Sequence, residues 1–373
     1  MKKIKPIVRL RRLYAKGKLP HKWGVILVVA AFGVLGGMSL MQSRAATVPI
    51  AAEAEDGVQG GNAQKAQSTS ASGGYAVAFG GGTGVGAANP CNGSAPPAHW
   101  NHVILLMFEN EVASDVIGTS DAPYITGLSK KCATASGWHD GNYRVDGSND
   151  GDYDSKPSYA LLTSGLSPSK SGITTDDYGQ TANVDNIFNR LKQLGKDARS
   201  YQSGPAGQCN KSNFEGAYHD ALRYYQNLGA QSSDPTTYCN THDMALSSLM
   251  SDINSGKLPA FSLLLPTNDQ NMHNNSIASG DAYAKTLIDP ILDSAQYKSG
   301  DTAIFFLWDE ETPIPNVLMA PSIKPGTKLA VSGGNPISHF SFTRTTQEML
   351  DVPQPFLGDS GQAPSLLNFF NGQ

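Results

Sequence analysis

Hydrophobic positions in this chain gather into uninterrupted runs rather than alternating with polar ones. Three runs, His102–Phe108, Phe261–Leu265 and Thr302–Trp308, have strand length and are apolar on both faces, as in strands buried within a parallel sheet. Residues 316–320, bracketed by Pro315 and Pro321, read as a further strand. Residues 184–194 and 282–294 have a helical texture and supply the crossovers, so the pattern predicts a doubly wound α/β fold with a mostly parallel sheet. No internal repeat is visible.

Each of the three runs ends in groups that bind ligands: Glu109 and Asn110 after the first, Asn268, Asp269 and His273 after the second, Asp309, Glu310 and Glu311 after the third. In open α/β sheets, ligands bind beyond the carboxyl ends of the strands, where loops offer side chains without disturbing the core. That edge is where the pattern puts the site.

The N-terminal part has a different texture. Residues 1–22 hold nine of the 28 Lys and Arg and no acid, and residues 24–41 form an 18-residue stretch without a charge. Eighteen apolar residues just suffice to span a bilayer, and basic flanking residues favour the cytoplasmic side. Residues 23–42 therefore read as a transmembrane or signal-anchor helix behind a cytoplasmic basic segment, although Ser43 and Ala45 also suit cleavage of a signal peptide. Both alternatives export the body, either as a single-pass protein of the cell membrane or as a secreted one. Residues 43–97 are a Gly-, Ser- and Ala-rich linker. Residues 52–57 and 71–80 within it resemble opening strands of jelly-roll carbohydrate-binding modules, which implies glycan contact by a vestigial pair of strands. Residues 98–373 make up the body that follows.

The 19 bases left beyond residue 22 face 32 acids, a balance opposite to that of a nucleic-acid binder. Four cysteines, Cys91, Cys132, Cys209 and Cys239, stand in no Cys-x-x-Cys spacing and suit an oxidising compartment. Three pairings are open, and proximity along the chain favours Cys91 with Cys132 and Cys209 with Cys239.

Residues 155–173 carry the most specific pattern: Ser155, then Pro157, a short apolar run from Tyr159 to Thr163, Gly165, Pro168 and Gly172-Ile173. Read alone, Ser155 is a helix cap and Gly165 a helix stop. In this order the residues resemble the nucleophile segment of the alkaline-phosphatase superfamily, and most closely that of the bacterial acid phosphatase and phospholipase C-like phosphoesterases, whose pattern is Ser-x-Pro-Asn-Tyr. Ser158 stands in place of the Asn that holds phosphate. Further matches follow in family order: Glu109-Asn110, Asn271-Met272-His273 with its acid displaced to Asp269, Trp308-Asp309-Glu310, the stretch from Ala320 to Gly326, and Ser338-His339-Phe340. His219, in His-Asp-Ala-Leu-Arg-Tyr-Tyr, resembles another family segment.

The resemblance implies an alkaline-phosphatase-like fold and a metal-dependent phosphoesterase acting on mono- or diesters through a phosphoserine on Ser155. It implies a divalent cation held by Glu109, Asn110, Asp269, His273, Asp309, Glu310 and His339. Ser158 and Asn110 would contact substrate, and His219, His273 or His339 would protonate the leaving group. Backbone N–H groups from Pro157 to Tyr159 would hold the phosphoryl oxygens. Partners would be a small or envelope phosphate ester and the membrane. Two other readings stand beside this one. The order Ser-x-Pro-Ser also resembles a sulfatase signature, which however needs Arg where Tyr159 stands. A catalytically degenerate surface-binding protein would suit the changes at Ser158 and Asp269.

Overall fold

The computed structural model describes residues 63–67, 75–79, 89–210, 217–330 and 333–372. The basic and apolar segments expected within residues 1–42 lie outside them. Among the described residues no helix is long and apolar enough to cross a membrane. The chain divides into two units, residues 1–84 and 85–373.

In the first unit β1 (Ala63–Gln67) pairs antiparallel with β2 (Tyr75–Phe79), Ala63 opposite Phe79 and Gln67 opposite Tyr75. β2 falls within the stretch 71–80 singled out above, whereas residues 52–57 lie outside the described residues.

The second unit carries β3 (His102–Phe108), β4 (Ala133–Ala135), β5 (Ala198–Gln202), β6 (Asp243–Ala245), β7 (Phe261–Leu265), β8 (Thr302–Trp308), β9 (Asn316–Met319) and β10 (Thr327–Leu329). They form one eight-stranded sheet in the order β10-β4-β9-β8-β3-β7-β5-β6. Only β9 runs against the rest, pairing antiparallel with both β4 and β8. The expected mixed α/β architecture with a mostly parallel sheet is therefore present, and the three long apolar runs are its centre. β3 and β8 are in register along their whole length, from His102 opposite Thr302 to Phe108 opposite Trp308. One step further along both strands, Glu109 and Asp309 emerge together. Beneath them Phe108, Phe306 and Trp308 pack ring to ring, with centroids 4.9, 5.4 and 4.5 Å apart.

The principal helices are α1 (Pro123–Lys131), α2 (Ser155–Ser164), α3 (Ile187–Gln193), α4 (Ile277–Asp293) and α5 (His339–Met349). α3 lies within the expected range and is capped by Asn186, whose side chain accepts from Asn189 N. α4 starts five residues earlier than the pattern suggested because Ser276 caps it, accepting from Ser279 N. All ten residues of α2 are buried, and Gly165 ends it in the left-handed region at φ 66°. A Cβ at Gly165 would lie 2.2 Å from the Leu357 carbonyl oxygen, so both the turn and the close approach require glycine.

The two expected disulfides are formed, Cys91 with Cys132 and Cys209 with Cys239. The first ties residues ahead of position 98 into the body: Tyr297 donates to the Pro90 carbonyl at 2.8 Å, and Asn92 N and Gly93 N donate to Pro321 O and Ile323 O.

Candidate active site

Three elements converge at the carboxyl edge of the sheet. β3 delivers Glu109 and β8 delivers Asp309, both fully buried, with Glu310 next in the chain and half-buried. α2 brings up its first residue, Ser155. Asp154 occupies the N-cap position and its side chain makes no capping bond, so Ser155 is not the cap that its sequence context alone would suggest. Its hydroxyl instead faces two carboxylates, Glu109 Oε2 at 3.1 Å and Glu310 Oε1 at 2.5 Å. Tyr159, one turn along α2, donates its hydroxyl to Glu109 Oε1. Asp309 Oδ1 accepts from the Asn110 backbone N–H at 3.2 Å.

Crowding of acids in a buried site perturbs them all. Burial, and then the neighbouring Asp309, raise the Glu109 carboxyl well above the usual range. Burial raises Asp309, against the bond from the Asn110 backbone N–H that acts the other way. Burial followed by repulsion from Asp309 pushes Glu310 up to about 8. Asp176 joins the group: it accepts from Lys156 N at 2.8 Å and is raised by its own burial.

On the opposite side stand two histidines. His219 is buried, stacked on Tyr159 at 5.1 Å and edge-on to Tyr218 at 4.2 Å. Its Nε2 has no hydrogen-bond partner and lies 3.4 Å from Glu109 Oε2. Burial, and to a smaller extent His273, hold its pKa down to about 3. His273 is exposed on the turn after β7, its ring centroid 6.5 Å from that of His219.

Ser155, Glu109, Asp309, Glu310, His219 and His273 thus gather at one place; four other expected contributors are differently engaged. Both ring nitrogens of fully buried His339 are taken: Nδ1 accepts from the Trp138 indole at 3.1 Å and Nε2 donates to the Asp309 carbonyl at 2.9 Å. No lone pair is left for a metal and no proton for a leaving group, so its geometry is that of a bracket behind Asp309. Asp269 is exposed and accepts from the Asn274 side chain, closing its own turn at the surface. Asn110 adopts φ 50° with an exposed side chain, and its buried contact is made by the backbone. Ser158 is buried against Gly141, where an added Cβ would come within 2.2 Å of its Oγ.

The expected backbone cradle is also rearranged. Pro157 has no N–H, the Lys156 N–H is already bonded to Asp176, and the i→i−4 pattern of the helix commits the N–H groups of Ser158 and Tyr159 to the carbonyls of Asp154 and Ser155. Sequence reading missed Tyr159, Asp176 and Trp138. The first stood inside the quoted motif, but its hydroxyl was given no role.

Among the described residues no three His, Cys, Asp or Glu side chains close into a metal cage by themselves. The donor set nonetheless fits a hard divalent cation. Ser155 has one hydroxyl proton and two carboxylates at bonding distance, so one contact lacks a proton unless an acid is neutralised or a cation lies among them. Asp309 Oδ2 is buried without a hydrogen-bond partner. All-oxygen carboxylate and hydroxyl donors suit Mg²⁺, Mn²⁺ or Ca²⁺.

A buried serine hydroxyl set among carboxylates at the carboxyl edge of such a sheet is equipment for ester hydrolysis, and comparison with known proteins gives the class. The chain belongs to the phosphoesterase family, whose profile matches residues 119–339, a span running from ahead of Ser155 to His339. It is a hydrolase acting on phosphate ester bonds. It is similar to a phosphatidylinositol-3-phosphatase of Mycobacterium tuberculosis, with 23% identity over 276 residues, 72% of this chain and 82% of that one. Among solved structures it is similar to the phosphonate monoester hydrolase of Agrobacterium radiobacter (13% identity, 73% of this chain and 77% of that chain, TM-score 0.44). It is also similar to a protein in the alkaline phosphatase superfamily from Vibrio parahaemolyticus (15% identity, 73% and 72%, TM-score 0.44).

Proposed function

We propose that this protein is an exported, metal-dependent phosphoesterase in which Ser155 is the nucleophile. The observation that carries the reading is the Ser155 hydroxyl lying 3.1 Å from Glu109 Oε2 and 2.5 Å from Glu310 Oε1 at the first residue of a buried helix. Glu109, Asp309 and Glu310 would hold a divalent cation; when bound, it neutralises the phosphoryl oxygens and lowers the pKa of the serine hydroxyl. Ser155 Oγ attacks phosphorus, its proton passing to a flanking carboxylate, and the ester oxygen leaves. Water then attacks the phosphoserine and frees Ser155. Glu109 is itself oriented by the Tyr159 hydroxyl. His219, wedged between Tyr159 and Tyr218, presents an unpartnered Nε2 to a phosphoryl oxygen. His273, open to solvent, is the group able to protonate the departing alcohol and regain its proton from water.

Export is supported by the two disulfides, which persist in oxidising compartments. The apolar stretch 24–41 would serve as membrane anchor or cleaved signal, and the Gly-rich linker as the tether to an envelope substrate. The test is turnover of p-nitrophenyl phosphate by metal-stripped and reconstituted protein, with p-nitrophenyl sulfate alongside. Activity restored by a divalent cation on the phosphate, and absent after Ser155→Ala, is the expected result. Full activity in Ser155→Ala, or hydrolysis of the sulfate alone, overturns the reading.

A further inference from the structure

A buried cation stands next to the nucleophile and belongs to none of the roles assigned above. Lys156 is 1% exposed. Its ammonium donates to two backbone carbonyls, Asp177 O at 2.7 Å and Gln180 O at 2.5 Å, and lies 5.0 Å from the centroid of the Tyr224 ring. Its own backbone N–H donates to Asp176 Oδ1 at 2.8 Å. One residue therefore grips the turn 176–180 at three points, from the position directly after Ser155.

The turn is built to be gripped. Gln180 Oε1 accepts from Thr174 N at 2.8 Å and from Thr175 N at 3.2 Å. Asp177 O accepts from Gln180 N at 3.0 Å, and Gly179 N donates to Asp177 Oδ1 at 2.8 Å. These bonds fix the turn's internal shape; Tyr178, whose hydroxyl donates to the Cys209 carbonyl and whose own carbonyl accepts from Gln231, ties it to the loops beyond, and Lys156 is what ties it to α2. The Tyr224 ring under the ammonium connects to the other wall, since its hydroxyl donates to the Tyr218 carbonyl, next to His219. Removing an ammonium from water is costly, and a buried lysine needs carbonyls and a ring in fixed positions to offset that cost. Moving either wall forfeits those contacts, so the charge resists displacement of both.

We propose that Lys156 is a positioning residue for phosphoryl transfer: it clamps the 174–180 turn, and with it Asp176, against the first turn of the nucleophile helix, and so fixes the placement of the Ser155 hydroxyl among its carboxylates. The proposal rests on Ser155 being the nucleophile. A misplacement of about 1 Å costs on the order of a hundredfold in rate when the lost contact aligns reacting groups.

The test uses the full-length chain with its divalent cation and p-nitrophenyl phosphate. Lys156→Met keeps the length and apolar stem but cannot donate. It is expected to lower kcat by about tenfold to a hundredfold with KM changed by less than about threefold, and to raise amide exchange across residues 174–180. In a cycle with Asp176→Asn, the double variant should be no slower than the slower single one, because both act through one turn. A Lys156→Met enzyme within about twofold of the parent, or losses that multiply, overturns the proposal. Should Lys156→Met not fold, Gln180→Ala loosens the same turn from its other end, with an expected loss of about tenfold in kcat; unchanged kcat there overturns the proposal equally. Ser155→Ala separates the two levels. If that variant turns over substrate, the nucleophile assignment fails; if it is inactive while Lys156→Met is normal, only the clamp fails.

Discussion

The two sides of the site are held by different physics. The carboxylate side grows from β3 and β8, paired residue for residue over seven positions, so Glu109 and Asp309 are placed by the sheet itself. The histidine side is carried by turns and not by residues at strand ends. His219 sits in a short 3₁₀ turn, Ala217–His219, and His273 on the turn after β7. Their placement depends on particular polar locks: Arg223 bonds Asp220, next to His219, at 2.9 Å and Asp243 at 2.7 Å. Its Nη1 donates to the Gln208 carbonyl at 2.9 Å, beside the Cys209–Cys239 disulfide. A sheet edge tolerates surface change because the core fixes it; a lock of single contacts fails when one contact is lost.

The sharpest way to break the comparison is to neutralise one acid within the carboxylate cluster and one on the surface turn that carries His273. Asp309→Asn should lose at least about a thousandfold in rate and most of its bound divalent cation, since the residue is buried in the cluster. Asp269→Asn should retain rate and metal within about twofold, because its carboxylate closes a surface turn. Mass spectrometry of native protein and steady-state kinetics read both. Equal metal content in the two variants would refute the assignment of the cation to the carboxylate side.

Next in size is the lock itself. Replacing Cys209 and Cys239 by Ser opens a bridge with a sequence separation of 30 residues and should cost about 3–4 kcal/mol by the loop-entropy model. The loss of stability should come with a fall in kcat/KM, because His219 is carried by the segment that the bridge braces. Denaturant unfolding and kinetics on the same preparation test it. A destabilised enzyme with unchanged kcat/KM would show that Arg223 holds His219 unaided. Smaller again is the effect expected on His273→Gln, about tenfold to a hundredfold in kcat for an alkyl ester and little for p-nitrophenyl phosphate, whose leaving group needs no proton.

How much of this was legible follows the same division. The long apolar runs gave β3, β7 and β8, and the acids at their ends fell where a sheet edge puts them, because strand register leaves them no other place. The three-residue strands β4, β6 and β10 were invisible, since their pairing is decided by neighbours and not by any local period. His339 was misread for a related reason: its motif marks the residue, but only the fold brings Trp138 onto one nitrogen and the Asp309 carbonyl onto the other. Asp269 was taken as the displaced acid of the family motif, and the turn directs it to Asn274 instead. Tyr159 and Lys156 lay in the best-matched motif and still gave no sign, since a buried contact to a carboxylate or a carbonyl has no signature in local sequence.

The smallest expected effect concerns the N-terminal unit. Residues 1–84 form a unit separate from the body, and every residue of the site lies between Glu109 and His339. Among the described residues, the body is already held at Pro90, whose carbonyl accepts from Tyr297, and at Cys91, bridged to Cys132. A deletion ending at Gly84 therefore leaves these contacts whole, whereas one running past Cys91 removes a disulfide and the strap formed by Asn92 and Gly93 on Pro321 and Ile323. Deleting residues 1–84 should leave kcat and KM for p-nitrophenyl phosphate within about twofold, because the Gly-rich stretch, on the proposed reading of it as a tether, supplies reach and not catalytic groups. On vesicles or cell-wall fragments bearing phosphate esters the same deletion should lower the rate, since the advantage of a tether is a raised local concentration of enzyme at its surface. Loss of activity on the small ester by a folded, disulfide-bonded deletion variant would make the N-terminal unit part of the site, and would remove the boundary on which the comparison of its two sides rests.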